Sequence, residues 1–218
     1  MNYPIPSVQT HPDTVLLFPL PKMVFFAATN KPLNIFDSRY VQMINDALEK
    51  ETPVALAFAE EGRRRAVRGT ARSSPVRSIC GVGIVQLLER RDDGTLLVLL
   101  KGQGKIRVGR PVEDDNPYLS VEATWIEERT DIEPSSRFLL NRMTKEFLKW
   151  LESAVPDVEQ REAFMDFVRT PQERINYMCS LMVLEPERQQ ILLEEDNLDE
   201  RLKTLARFWE ADRLRQSH

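Results

Sequence analysis

The side chains best suited to covalent chemistry are scarce here and poorly placed for it. There are two histidines, His11 in a proline-rich opening segment and His218 at the last position. Catalysis of the Ser-His-Asp or Cys-His kind needs an imidazole held by packing beside its nucleophile, and chain ends do not hold one. No G-x-S-x-G elbow is present. Cys80 and Cys179 lie far apart, with neither a C-x-x-C nor a metal-ligand spacing, and read as reduced, buried thiols. A zinc site needs three or four converging ligands. The acid pairs Asp92-Asp93 and Asp114-Asp115 and the run Glu194-Glu195-Asp196 read instead as solvated caps or turn formers. Gly104-Lys105-Ile106-Arg107-Val108-Gly109 has phosphate-loop spacing, but it continues Arg110-Pro111 rather than Lys-Ser/Thr. A proline has no N–H to offer a phosphate. Gly81-x-Gly83 and Gly102-x-Gly104 lack the third glycine of a dinucleotide loop. These residues point to no catalytic centre, no metal and no cofactor.

Two features can bind without reacting. Residues 63–77 carry Arg63, Arg64, Arg65, Arg68, Arg72 and Arg77 without a single acid. Such a run can neutralise phosphates on a nucleic acid. It has no interleaved aromatic residue on which bases would stack, and Glu60-Glu61 just ahead of it offset part of its charge. A solvated loop is its plainer reading. The second feature is an apolar excess at Phe25, Phe26, Leu33, Phe36 and Tyr40, in a segment with several residues unsuited to strands. Exposed apolar patches bind polypeptide chains. The plainer reading of each residue alone is that it closes an open end of the fold.

The elements that must position these residues change texture near position 130. All eight glycines precede it, and the remainder is glycine-free and acidic. Short strands are expected at Thr14–Leu20, Met23–Ala28, Pro53–Ala59, Val82–Glu89, Thr95–Lys101, around Ile106–Val108, and at Leu119–Trp125, with Asp93-Gly94 as the hairpin signal. One helix interrupts them, capped by Asp37 or Ser38, with Tyr40, Val41, Ile44, Ala47 and Leu48 at helical spacing. Lys105, Arg107 and Arg110 alternate with apolar residues and read as a wet strand face. Strands with a single helix among them suggest a small closed sheet rather than a doubly wound one. The second part is helical. Its stripes are Leu139, Leu140, Met143, Phe147 and Leu151, then Ala163, Phe164, Phe167 and Val168, and a capping box runs Thr170-Pro171-Gln172-Glu173. The expected boundaries are a tail at 1–12, a β-rich part at 13–129 and a helical part at 130–218.

Composition bounds the rest. At 218 residues, 42% hydrophobic and 29% charged with net charge −4, the chain can bury a core unaided and is not of the disordered class. Its longest apolar runs fall far short of a membrane span. The opening Met-Asn-Tyr-Pro-Ile-Pro has no basic or apolar signal region, so a cytoplasmic setting is expected.

Leu16-Leu17-Phe18-Pro19-Leu20 followed by Pro32-Leu33-Asn34-Ile35-Phe36-Asp37-Ser38-Arg39-Tyr40 resembles the opening of the N-terminal domain of the ATP-dependent protease Lon. Gly83-Ile84-Val85-Gln86-Leu87, Asp93-Gly94, the segment Leu100 to Val108 and Pro117-Tyr118-Leu119 are similar to its later strands. Gln189 to Glu194 and Arg201-Leu202 are similar to its closing helices. Asp37 stands where the family usually has Glu, and Lys105-Ile106 where it has Arg-Phe. The resemblance implies an α+β fold: a PUA-like β pseudobarrel with one inserted helix, then an all-helical C-terminal lobe. It implies a region that captures protein substrates and helps organise an oligomer without cleaving bonds, since the ATPase and Ser-Lys peptidase domains do not fit in this length. A protease or chaperone ATPase is the partner so implied. PUA-like folds that bind RNA leave the arginine run as the alternative. Arg39 is expected to pair with Asp37.

Overall fold

The computed structural model describes residues 12–59 and 76–216. Its elements are β1 (Thr14–Pro21), β2 (Asn30–Ile35), α1 (Ser38–Lys50), β3 (Val54–Ala59), β4 (Ile79–Arg90), β5 (Leu96–Pro111) and β6 (Leu119–Ile126). After these come α2 (Arg137–Ala154), α3 (Val158–Phe167), α4 (Pro171–Met182), α5 (Pro186–Glu194) and α6 (Leu198–Gln216). The class is the expected α+β, with strands first, one helix among them and helices last.

β1 and β3 pair in parallel, Leu16 opposite Val54 through Pro21 opposite Ala59. Parallel neighbours need a crossover, and α1 supplies it. Asp37 caps α1 by accepting from the Arg39 N–H, and Met43, Ile44 and Ala47 form its buried stripe. Strand order is β2-β5-β4-β3-β1-β6, and β6 also pairs with β5. Pairings therefore run in a ring through β1, β3, β4, β5 and β6, while among the described residues β2 pairs with β5 alone. β1 and β3 read as unbroken apolar runs because both faces are covered. Leu16 and Phe18 join the core under α1, whereas Val15 and Leu17 face Ala55, Cys80, Val82 and Ile106.

Two strand expectations are corrected. Thr95–Lys101 and the Ile106 segment are one strand, β5. Val82 pairs with Gly104 and Gly83 with Gly102, so Gln103 is the extra residue of a bulge that bends β5 without ending it. Met23–Ala28 is not a strand; the strand is Asn30–Ile35. The 23–28 segment crosses from one core to the other. Phe25 packs under α1 and Phe26 against the helices, and a period-2 ladder cannot place neighbouring side chains that way while its backbone turns through Ala28 at φ +55°.

The helices pack on Val24, Phe26, Phe58 and Ile79 through Met143, Phe147, Ile175, Met178, Leu193, Leu202 and Leu205. The stripe expected on α3 is not buried. Phe167 is 52% exposed, and Val168, just past the helix, is the buried member. α3 leans on its neighbours through ring edges instead, with Phe164 5.0 Å from Tyr177 and 6.2 Å from Phe147.

The capping box of α4 is formed. Thr170 accepts from the Glu173 N–H at 3.2 Å, and Glu173 accepts from the Thr170 and Arg169 N–H groups at 2.7 and 2.8 Å. Those backbone donors, Thr170 foremost, hold the Glu173 carboxyl below its ordinary range. Thr170→Ala is expected to lower stability by about 1 kcal/mol. Urea midpoints for the two proteins measure it, and identical midpoints would show that the box adds nothing.

Candidate functional site

The end of β1, the whole of β2 from Pro32 onward and the start of α1 enclose a groove of about 370 Å³. Its lining is apolar: Phe18, Leu20, Met23, Leu33, Phe36 and Tyr40, with Asp37 at one end. Phe18 belongs to the core under α1 and is buried, and its ring lies 4.3 Å from that of Tyr40, tilted by 42°. Phe36 is 81% exposed. An aromatic ring held at the mouth of an apolar groove leaves a large surface in water, at a standing cost that a ligand can remove.

The charged flank of the groove is preorganised. Arg39 donates to both Asp37 carboxylate oxygens, at 3.1 and 2.7 Å, and its guanidinium lies 5.4 Å from the centre of the Tyr40 ring. That fork, with the Arg39 N–H, holds the Asp37 carboxyl below its ordinary value. Partial burial pushes the Tyr40 phenol upward. Arg39 therefore takes the expected pairing.

The five apolar residues singled out in the sequence do not share one surface. Leu33, Phe36 and Tyr40 line the groove. Phe25 and Phe26 are both 0% exposed and cannot touch a ligand, which corrects their assignment to a binding patch. Their burial follows from the crossing path of residues 23–28, which drives one ring into each core. The junction between sheet and helices is filled by Phe26 and its neighbours. Phe18, Leu20, Met23 and Pro32 complete the groove and were not singled out. Leu20 and Met23 flank Pro21-Lys22, and the break between two apolar runs was the one signal that β1 ends in the open.

Of the six arginines, Arg63, Arg64, Arg65, Arg68 and Arg72 lie outside the described residues. Arg77 is exposed, and its N–H donates to the Phe58 carbonyl at 3.0 Å. Both cysteines are buried and free, and burial pushes each thiol up to about 12.

A second lined hollow, about 340 Å³, lies by Pro12, Asp46, Asp114, Tyr118 and Ser120. Two pairs of its polar groups bond to each other: Tyr118 donates to Asp46, and Ser120 donates to Asp114 at 2.8 Å.

A buried ionic cluster joins sheet to helices. Lys105, expected on a wet face, is 1% exposed. Its ammonium donates to the Leu193 and Glu195 carbonyls at 2.7 and 2.8 Å and lies 2.7 Å from Asp196 and 3.5 Å from Glu128. Burial pushes that ammonium below its ordinary range. Arg201, also 1% exposed, donates to Asn176 at 2.7 Å, to the Glu195 carbonyl at 2.6 Å and to Glu128. Asn176 in turn donates to the Ala27 carbonyl at 2.9 Å. These contacts tie β5 and the segment at Ala27 to α4, α6 and the residues between α5 and α6.

Among the described residues no helix is long and apolar enough to cross a membrane. Comparison with solved structures finds the same fold in a Lon N-terminal domain protein from Xanthomonas campestris, at TM-score 0.62 and 19% identity over 88% of this chain and 96% of that one. The N-terminal domain of a Mycobacterium avium complex Lon protease matches at TM-score 0.66 and 17% identity, over 90% and 98%. In sequence, a Lon protease of Desulfosudis oleivorans is 23% identical over 198 residues, and Lon protease 2 of Desulfotalea psychrophila 26% identical over 195. These alignments cover 90% and 87% of this chain but 24% of each relative, so it spans about a quarter of their length. The profile of the ATP-dependent protease La (LON) substrate-binding domain matches residues 14–209, and the chain belongs to that family.

Proposed function

We propose that this chain is a non-enzymatic polypeptide-binding module that captures unfolded or tagged proteins in the groove between β1, β2 and α1. Membership of a substrate-binding family supports the role, and the single observation that carries the assignment to this groove is Phe36, 81% exposed over an apolar lining. Binding of this kind rests on non-directional apolar burial. It is weak, broad in sequence preference and suited to handing a client to a protease or chaperone ATPase as an adaptor.

Fluorescence anisotropy of labelled, unfolded casein titrated with the protein tests this reading. Phe36→Asp is expected to weaken binding at least tenfold, because a buried phenylalanine contributes roughly 1.5–3 kcal/mol. The melting temperature is expected to stay unchanged, since the ring touches mostly water. Equal binding by both proteins would remove the groove from the proposal.

A further inference from the structure

α3 is held differently from the other α-helices. None of its 10 residues is buried, whereas each of the others has a buried stripe. Its polar contacts are local. Asp157 caps it by accepting from the Gln160 N–H at 3.1 Å, and Arg161 donates to the Val155 and Pro156 carbonyls at 2.6 and 3.0 Å. Among the described residues, every hydrogen bond made by α3 ends between Val155 and Arg169. What reaches across to α2 and α4 is apolar. The Phe164 ring centre lies 5.0 Å from that of Tyr177 and 6.2 Å from that of Phe147, and Phe167 lies 6.4 Å from Tyr177. Met165 packs on the same core.

Both ends of α3, by contrast, are pinned. The Val155 N–H donates to the Leu151 carbonyl at 2.8 Å, and its side chain packs on the core. Val168 is 0% exposed, and its carbonyl accepts from Arg174 at 3.3 Å. The rings beneath have supports of their own. The Asn30 N–H donates to the Tyr177 hydroxyl at 3.1 Å, and Phe147 stacks on Trp150 of its own helix. A helix of this length does not hold itself in water, so once its rings leave the shelf its backbone is released as well.

We propose that α3 is a hinged strap, which opens as a unit between Val155-Pro156 and Val168 while the sheet and the other helices stay folded, and so uncovers the ring edges of Tyr177 and Phe147. Opening gives up three ring contacts and gains chain entropy. The neighbouring helices can open only by exposing the core. The strap is independent of the groove.

Native-state hydrogen exchange of the whole chain, read by mass spectrometry at rising urea below the unfolding transition, tests it. Amides of 160–167 are expected to exchange about a hundredfold or more faster than those of 143–151 and 175–182. Their rates are expected to rise little with urea, because the opening exposes little surface. Trypsin gives a second reading. Arg161 is the one trypsin site inside α3, and cutting there follows the open population. Phe164→Ala removes two of the three ring contacts and is expected to raise both the exchange of α3 and the cutting after Arg161 about tenfold. Amides of α3 as protected as those of α2 and α4, with the same urea slope, would overturn the proposal, since α3 would then open only with the whole fold. Exchange in α3 at the rate of a free peptide overturns it too, because no docked state is then left to open. A Phe164→Ala protein that exchanges and is cut like the parent removes the ring contacts, and the strap with them.

Discussion

Gly81→Ala is expected to leave little folded protein. A Cβ built at Gly81 would stand 1.8 Å from the Phe25 carbonyl oxygen and 2.6 Å from its carbonyl carbon. Neither atom belongs to a side chain that could swing aside. The Phe25 backbone is held by what surrounds it: Phe25 and Phe26 are buried in separate cores, the Ala28 N–H donates to Gly102 at 2.9 Å, and the Ala27 carbonyl accepts from Asn176. Moving the segment would break several of these contacts together. The cost is expected to exceed about 4 kcal/mol, a large part of the roughly 5–15 kcal/mol that holds an ordinary domain together. Circular dichroism melts and soluble yield measure it. Gly94→Ala is the control. Gly94 sits at φ +83° in the hairpin with open space around it, so an alanine there is strained by only about 1 kcal/mol. A Gly81→Ala protein melting within a few degrees of the parent would show that residues 23–28 do not lie against β4 as described.

The second large effect is expected at Arg201. Replacing it with methionine keeps the bulk and removes a buried cation. The Asn176 side-chain oxygen loses its donor, Glu128 loses its guanidinium partner, and the Glu195 carbonyl keeps only the Lys105 ammonium. Breaking one side of a buried ion cluster costs about 3–5 kcal/mol, because the charge left behind stays desolvated. Lys105 still stands 3.5 Å from Glu128 and offsets part of that loss. Arg201→Lys is expected to fall between parent and Arg201→Met, since an ammonium restores charge but not the planar fork that reaches three acceptors. Chemical denaturation of the single variants and of Arg201→Met with Glu128→Leu resolves the coupling. The double variant is expected to be more stable than the summed single losses imply. A loss below about 1 kcal/mol for Arg201→Met would mean that the Arg201 contacts add little to the packing of helices on the sheet.

Both sites lie outside the groove lining. The glycines of β4 and β5 let residues 23–28 lie flat against the sheet, and this segment leads from Met23 on one wall of the groove to β2 on the other. The ionic cluster reaches the same segment through Asn176, which donates to the Ala27 carbonyl.

Local chemistry was legible in the residues alone. Asp37 ahead of a helical stripe, Thr170 with Glu173 three positions on, and Asp93-Gly94 between two apolar runs each act over a few residues, and each formed as read. The same holds for the α+β class, which glycine distribution and hydrophobic period report together, and for the family, which motif order reports. Tertiary structure decided what depends on distant partners. Lys105 is buried because Glu128, Asp196 and two carbonyls from residues 193 and 195 converge on it, and nothing in its own strand announces them. Phe25 and Phe26 are adjacent yet serve different cores, a placement with no period to detect. The groove joins the end of β1 to β2, and among the described residues the ring of pairings closes through β6 and leaves β2 outside it. Periodicity tells which face of an element is apolar. It does not tell which apolar face the folded chain leaves uncovered.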